Sequence, residues 1–178
     1  MSKKEFITQI INRRSAYTPI VDSDDRFNYI DLGEFEREED INIILNNIYE
    51  VLPDWNEAPT LQNIKDRFNV GTRVILQYYN NQIIGWFWYC PFYAKDFLNK
   101  EYELPKGGVY CGNTYTIKSI APRSSGARLY SYSIGYVLTK YEAIFSYMDN
   151  WNVAPIKLCL KCGGVTENWM EYKSTEIL

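Results

Sequence analysis

Ile117-Lys118-Ser119-Ile120-Ala121-Pro122-Arg123-Ser124-Ser125-Gly126-Ala127-Arg128-Leu129 is the stretch on which the fold of this chain turns. Its first residues close an apolar run that starts at Val109, passes through Gly112 and reads as a strand over residues 109–120. Pro122 turns the chain, and Ser124, Ser125, Gly126 and Ala127 are all small. From there Leu129, Ile134, Val137, Leu138, Tyr141, Ile144 and Phe145 fall on helical spacing, so residues 126–148 are expected as the longest helix. Read alone, the corner is also an ordinary helix start with Ser124 or Ser125 as its N-cap.

Working outward, Pro155 opens residues 156–162, where Ile156, Leu158 and Leu160 alternate with Lys157, Cys159 and Lys161 and predict a strand. Upstream, residues 72–79 and 82–89 are two strands around Asn80-Asn81, a pair that tolerates positive φ and so marks a tight hairpin. Residues 27–32 alternate like a strand that Gly33 ends. Helices are expected over 37–52, stopped by Pro53, and over 60–68, with Thr60 as N-cap. Residues 92–106 are a long aromatic and charged connection. At the N-terminus, Phe6, Ile7, Ile10 and Ile11 predict a short helix over 2–14, followed by a polar entry loop to residue 26.

From Phe27 the order is strand, helix, helix, strand, strand, strand, long helix, strand. That order over residues 27–162, with the hairpin and the Arg123-x-x-Gly126 corner, resembles the GCN5-related N-acetyltransferase superfamily. The family's corner reads Arg/Gln-x-x-Gly-x-Gly/Ala. Here Arg128 stands at the last small position, and an alignment from Pro122 instead puts Ser125 at the usual Arg. The resemblance implies an α+β fold, a central mixed and mainly antiparallel sheet flanked by helices. It implies a single domain over 1–178 with an N-terminal helical extension to about residue 26.

It implies further an N-acyltransferase, acetyl-CoA as cofactor and an amine acceptor. A diphosphate needs N–H donors converging at a helix N-terminus, where the helix dipole adds about half a positive charge. Ser124, Ser125, Gly126 and Ala127 would supply the close approach, and Arg123 and Arg128 the charge. The family's fourth strand pairs with the pantetheine arm and splays from the fifth. Lys118, Ser119 and Ile120 would take that role, facing residues 156–161, and one amide would polarise the thioester carbonyl. The family's usual Glu base is missing from residues 109–120, leaving Glu34, Glu36 or a water relay. For the usual Tyr acid after the fifth strand, Tyr172 in Asn168-Trp169-Met170-Glu171-Tyr172 is the candidate. An acceptor pocket would draw on Asp54, Trp55, Asn56 and Glu57 with Trp86, Trp88, Phe92 and Tyr93.

Composition sets the outer limits. With 178 residues, 46% hydrophobic and 23% charged, the chain can bury one full core. It has no histidine, which excludes imidazole bases, His metal ligands and Ser-His or Cys-His nucleophiles. Cys159-x-x-Cys162 with Gly163-Gly164 resembles half of a zinc knuckle, but Cys90 and Cys111 are each alone, so no metal is expected. Residues 1–60 carry 6 basic and 13 acidic side chains, residues 105–165 carry 7 and 2. That asymmetry points to an anionic partner. With no apolar run of roughly 20 residues and no signal core after Met1, a cytoplasmic protein without membrane contact is expected. Two other readings share the fold: a DNA base-modifying protein similar to the Mom-type proteins of phages, and a non-catalytic binding module. Net charge −3 argues against strong binding to nucleic acid.

Overall fold

In the computed structural model, which describes residues 6–32, 71–91, 93–95 and 101–173 with Asn42, Asp66, Phe68 and Asn69, Asn80 and Asn81 both take positive φ, 47° and 64°. Positive φ at both central residues gives a turn whose twist matches its flanking strands. It joins β3 (Arg73–Tyr79) to β4 (Gln82–Cys90). Around this hairpin stand β1 (Ile7–Arg13), β2 (Phe27–Leu32), β7 (Gly108–Thr116), β8 (Ala143–Asp149) and β9 (Val165–Thr166). They form one seven-stranded sheet of order β2-β3-β4-β7-β8-β1-β9. Every pairing is antiparallel except β7 with β8. A separate two-stranded ribbon pairs β5 (Tyr93–Lys95) with β6 (Glu101–Glu103). Two helices are described beyond single residues, α1 (Ser125–Leu138) and α2 (Val153–Lys161). The expected mixed, mainly antiparallel sheet flanked by helices is therefore present.

Side-chain alternation assigns the faces. Ile10, Ile75, Phe87, Tyr89, Val109 and Ile144 pack under α1 and α2 with Leu129, Ile134 and Cys159. Their neighbours point the other way and form two clusters. One holds Val74, Leu76, Trp86 and Trp88, the other Ile11, Ala143, Phe145 and Trp169. Burial of such large side chains contributes about 1.5–3 kcal/mol each.

Three segments differ from the sequence expectation, for related reasons. Residues 7–13, expected as helix, are β1, a strand inside the sheet. Gln9, Ile10, Ile11 and Asn12 are all buried because both faces of the strand are covered, and a strand covered on both faces loses the period-2 signal. The expected helix over 126–148 ends at Leu138, where Thr139 and Lys140 N–H bond back to Tyr136 and Val137. Residues Ala143–Asp149 are then β8, with Phe145 and Ile144 buried on opposite faces. Residues 156–161, expected as strand, belong to α2. Cys159 inside the helix and Cys162 at its C-cap are buried while Leu160 is exposed, a spacing of three that outweighs the alternation seen in sequence. Pro155 lies in the first turn, where its missing N–H costs nothing.

The expected helices over 37–52 and 60–68 lie almost wholly outside the described residues. Asn42, Asp66, Phe68 and Asn69 are helical. Among the described residues no helix is long and apolar enough to cross a membrane.

Asp31, at the end of β2, clamps α1 to the sheet. Its carboxylate accepts hydrogen bonds from Tyr89 Oη (2.7 Å), Tyr136 Oη (2.8 Å), Lys140 Nζ (3.2 Å) and Arg73 Nε (3.2 Å). Burial alone would raise the carboxyl's pKa. The hydrogen bonds from Tyr89, Tyr136 and Arg73 outweigh it and hold the carboxyl below the ordinary carboxylate range. Burial, and then the Asp31 carboxylate, push the Tyr89 phenol up, so it remains a donor.

Candidate active site

The parallel pairing of β7 with β8 covers only Gly108 to Tyr110 against Ala143 to Phe145. Beyond Tyr110 the strand stays on β4, through Cys111, Gly112, Tyr115 and Thr116, and leaves β8. The two strands splay. Between Gly112 and Tyr115, two residues of β7 stand opposite the single Phe87 of β4, a bulge that bends the strand where the splay opens. On the face away from the helices, Tyr110 belongs to one aromatic cluster and Tyr115 to the other, so the splay runs between the two.

The open end of the splay meets the corner quoted at the outset. The strand stops at Thr116, earlier than residue 120, because Ile120 N–H and Ala121 N–H both turn back to the Ile117 carbonyl (3.2 and 2.9 Å). Lys118, Ser119 and Ile120 therefore sit in an exposed turn beyond the strand. The partner strand of β7 is β8; residues 156–161 are helical. The edge of β7 that faces the splay belongs to residues 111–116.

Ser124 takes φ 74° and ψ 1°, a left-handed conformation unusual for a residue with a Cβ. Its side chain does not cap the helix. Ser125 is locked instead: its hydroxyl donates to Pro122 O (2.6 Å), its N–H donates to the same oxygen (3.2 Å), and its own carbonyl accepts from Gln77 Nε2 (3.0 Å). Arg128 N–H reaches the Ser124 carbonyl (3.0 Å). Among the described residues, the N–H groups of Gly126 and Ala127 have no backbone partner outside the helix, as expected of the first turn. A Cβ built at Gly126 would meet only Thr116 Oγ1, at 3.7 Å. The result is an uncapped helix start on a rigid corner, with exposed Lys118 and Arg123 beside it.

Arg128 points away from this corner. Its guanidinium donates to the Asp22 carbonyl (2.7 Å), lies 3.7 Å from the Asp24 carboxylate and sits 5.0 Å above the Phe27 ring. It ties the entry segment down. Tyr172 packs against the cluster of Ile11, Phe145 and Trp169, the one that Tyr110 also joins. Its hydroxyl donates to the Glu167 carboxylate, which also pairs with Arg13 (3.1 Å) at the end of β1. The helix that follows the splayed strand is α2, and it contains no tyrosine. Glu34, Glu36, Asp54, Trp55, Asn56, Glu57 and Phe92 lie outside the described residues, as does the side chain of Tyr93. Trp86 and Trp88 are only 3% and 4% exposed, so they form a wall beneath the surface rather than its lining.

The cysteines are free and buried. Burial holds the Cys111 and Cys159 thiols protonated and pushes Cys162 up to about 11. Among the described residues no group of three or more Cys, Asp or Glu is arranged to hold a metal ion.

One residue at the splay escaped the sequence reading. The Tyr110 ring stacks on Tyr147 of β8 (5.8 Å, 26°), and its hydroxyl lies over Gly112. Gly112 was the available signal, because a glycine inside a strand marks a place of close approach.

Solved structures share this fold. A GCN5-related N-acetyltransferase from Sphaerobacter thermophilus superposes with a TM-score of 0.61 at 10% identity, over 90% of this chain and 48% of that one. The fold is that of the GCN5-related N-acetyltransferases. An aminoglycoside acetyltransferase from an uncultured soil metagenomic sample matches with a TM-score of 0.57 at 14% identity, over 87% and 99% of the two chains. A ribosomal-protein-alanine N-acetyltransferase from Brucella melitensis matches at 0.53 and 18%, over 75% and 83%. The chain spans about half the length of the Sphaerobacter protein and of a similar Kribbella flavida protein, 48% and 53%. No protein-family model matches the sequence, and no curated protein matches it. The fold is thus a general acyltransferase fold, and substrate and reaction rest on the site itself.

Proposed function

We propose that this chain is an acyl-CoA-dependent N-acyltransferase that uses acetyl-CoA and an amine acceptor. The observation that carries the proposal is the uncapped start of α1 at the mouth of the β7–β8 splay. Residues and ligand fit each other. The N–H groups of Gly126 and Ala127 would hold the diphosphate, with the helix dipole behind them and Lys118 and Arg123 adding positive charge. The free edge of β7 over residues 111–116 would pair with the amides of the pantetheine arm. One backbone N–H near the bulge would stabilise the charge that develops on the thioester oxygen. When bound, the coenzyme supplies an activated acyl group. β7 carries no carboxylate, so the acceptor nitrogen would lose its proton to water or to a group outside the described residues.

Thermal unfolding with and without acetyl-CoA tests this. A ligand at 100 times its Kd adds about 2.7 kcal/mol to stability and raises Tm. Gly126→Val should abolish the shift without loss of the fold, since a Cβ at this position meets nothing closer than 3.7 Å. The absence of a shift with acetyl-CoA, other acyl-CoAs and CoA alike would refute the proposal.

A further inference from the structure

The core makes little use of α2. Of its nine residues only Cys159 is buried, and the only charged ones are Lys157 and Lys161. Val153, Lys157, Leu160 and Lys161 recur at i, i+4, i+7 and i+8, so they share one stripe of the helix, on the side away from Cys159. Val153 and Leu160 are 48% and 38% exposed, and both lysines are exposed. The stripe continues past the N-terminal end of the helix, where Trp151 is 78% exposed. There the Asn150 N–H donates to the Phe6 carbonyl (2.7 Å) and brings exposed Phe6 to the same turn. That turn is firmly held. The Asn152 N–H donates to the Asp149 carbonyl (2.9 Å), the Val153 N–H to the Trp151 carbonyl (3.0 Å), and Thr8 Oγ1 to Asn150 Oδ1 (2.6 Å). Large apolar side chains exposed together on a fixed surface mark a docking face.

We infer that α2 and the Trp151 turn dock on an anionic lipid bilayer, with Trp151 at the boundary of headgroups and acyl chains and the two lysines on the headgroups. Charge and shape select that occupant. From Asp149 to Lys161 the chain carries one acid against two lysines, a net charge of +1. Glu167, beyond α2, is already paired with Arg13 (3.1 Å). A lysine stem lies along apolar surface while its ammonium reaches a charged layer, and an exposed tryptophan suits the bilayer interface. A second copy of this chain fits poorly, because pairing the stripe with itself sets Lys157 and Lys161 against their own kind. A nucleic acid would engage the lysines through its phosphates and leave Val153 and Leu160 uncovered. The expected absence of membrane contact rested on the lack of a spanning run, which does not bear on a helix lying flat on a surface.

Co-sedimentation with vesicles tests this, using phosphatidylcholine alone and phosphatidylcholine with about one third phosphatidylglycerol, at low salt. Each lysine near an anionic surface contributes about fivefold in affinity. The wild type should therefore bind the anionic vesicles at least about fivefold more tightly than the neutral ones, and added salt should erase the preference. Lys157→Ala combined with Lys161→Ala should remove the preference as well. Trp151→Ala should weaken binding to the anionic vesicles by about tenfold or more, because the buried ring contributes through its apolar area. All three side chains are exposed, so both variants should melt with the wild type. No binding of folded wild type to the anionic vesicles, or equal binding by wild type and Trp151→Ala, would overturn the inference. So would dimerisation in sedimentation equilibrium, or binding to a duplex oligonucleotide, that Trp151→Ala abolishes, since another occupant would then cover the face.

Discussion

Asp31→Asn should destabilise the protein by about 2–4 kcal/mol at pH 7, and the loss should vanish in acid. Asp31 Oδ2 accepts from two phenols and an ammonium, Oδ1 from a guanidinium, and the side chain is 10% exposed. Arg73 and Lys140 are 36% and 42% exposed, so each ion pair is worth less than about 1 kcal/mol. The two phenols carry most of the effect, since a hydrogen bond to a charged acceptor contributes about 1.5–3 kcal/mol. Asparagine has one oxygen: at the Oδ2 position it leaves both phenols a neutral acceptor and turns an N–H₂ donor on Arg73, and at the Oδ1 position it turns that donor on both phenols. The folded-state pKa of Asp31 is depressed. Its contribution is therefore complete above the unfolded value of about 3.9 and is lost as pH falls through the folded value. Urea unfolding followed by tryptophan fluorescence at pH 7 and pH 3 measures both terms. A wild-type-to-mutant difference below about 0.5 kcal/mol at pH 7, or one of equal size at pH 3, would refute the clamp.

Two further substitutions probe how the N-terminal segment is held. Gly163→Ala should fail to give folded protein by circular dichroism, because a Cβ there would lie 1.9 Å from the Ala16 carbonyl oxygen at φ +98°. Arg128→Ala should cost about 1–2 kcal/mol in urea unfolding through loss of the Asp22 carbonyl bond and the Phe27 contact. It should leave coenzyme A and dephospho-coenzyme A binding equally unaffected, whereas a selective loss for coenzyme A would place the arginine on the 3′-phosphate.

The parts of the fold legible in the sequence were those with local backbone chemistry. Asn80-Asn81 announced its turn because two adjacent positive φ values leave few choices of residue. The corner at Pro122 announced a turn into a helix through Pro122 and the small residues after it, though the same residues also suit an ordinary helix cap. β1 and β8 were misread as helix for one reason: Ile10-Ile11 and Ile144-Phe145 are buried on opposite faces of inner strands, and such pairs imitate a helical stripe. In α2 the error ran the other way, since exposed Leu160 completed a false alternation while Cys159 and Cys162 faced the core. At the candidate site, Ser124 to Ala127 stood out because four small residues in a row open a helix start to close approach. Tyr110 did not, because nothing about a tyrosine in a strand shows that its hydroxyl lies over a glycine two residues away.

The central claim is that the start of α1 holds the phosphates of coenzyme A while β7 holds the pantetheine arm. Titration of ¹⁵N-labelled protein with coenzyme A, followed by amide chemical shifts, tests it most directly. The largest changes should fall on Gly126 and Ala127, with a second set over residues 111–116 of β7. Changes confined to other elements, or none at saturating coenzyme A, would contradict it.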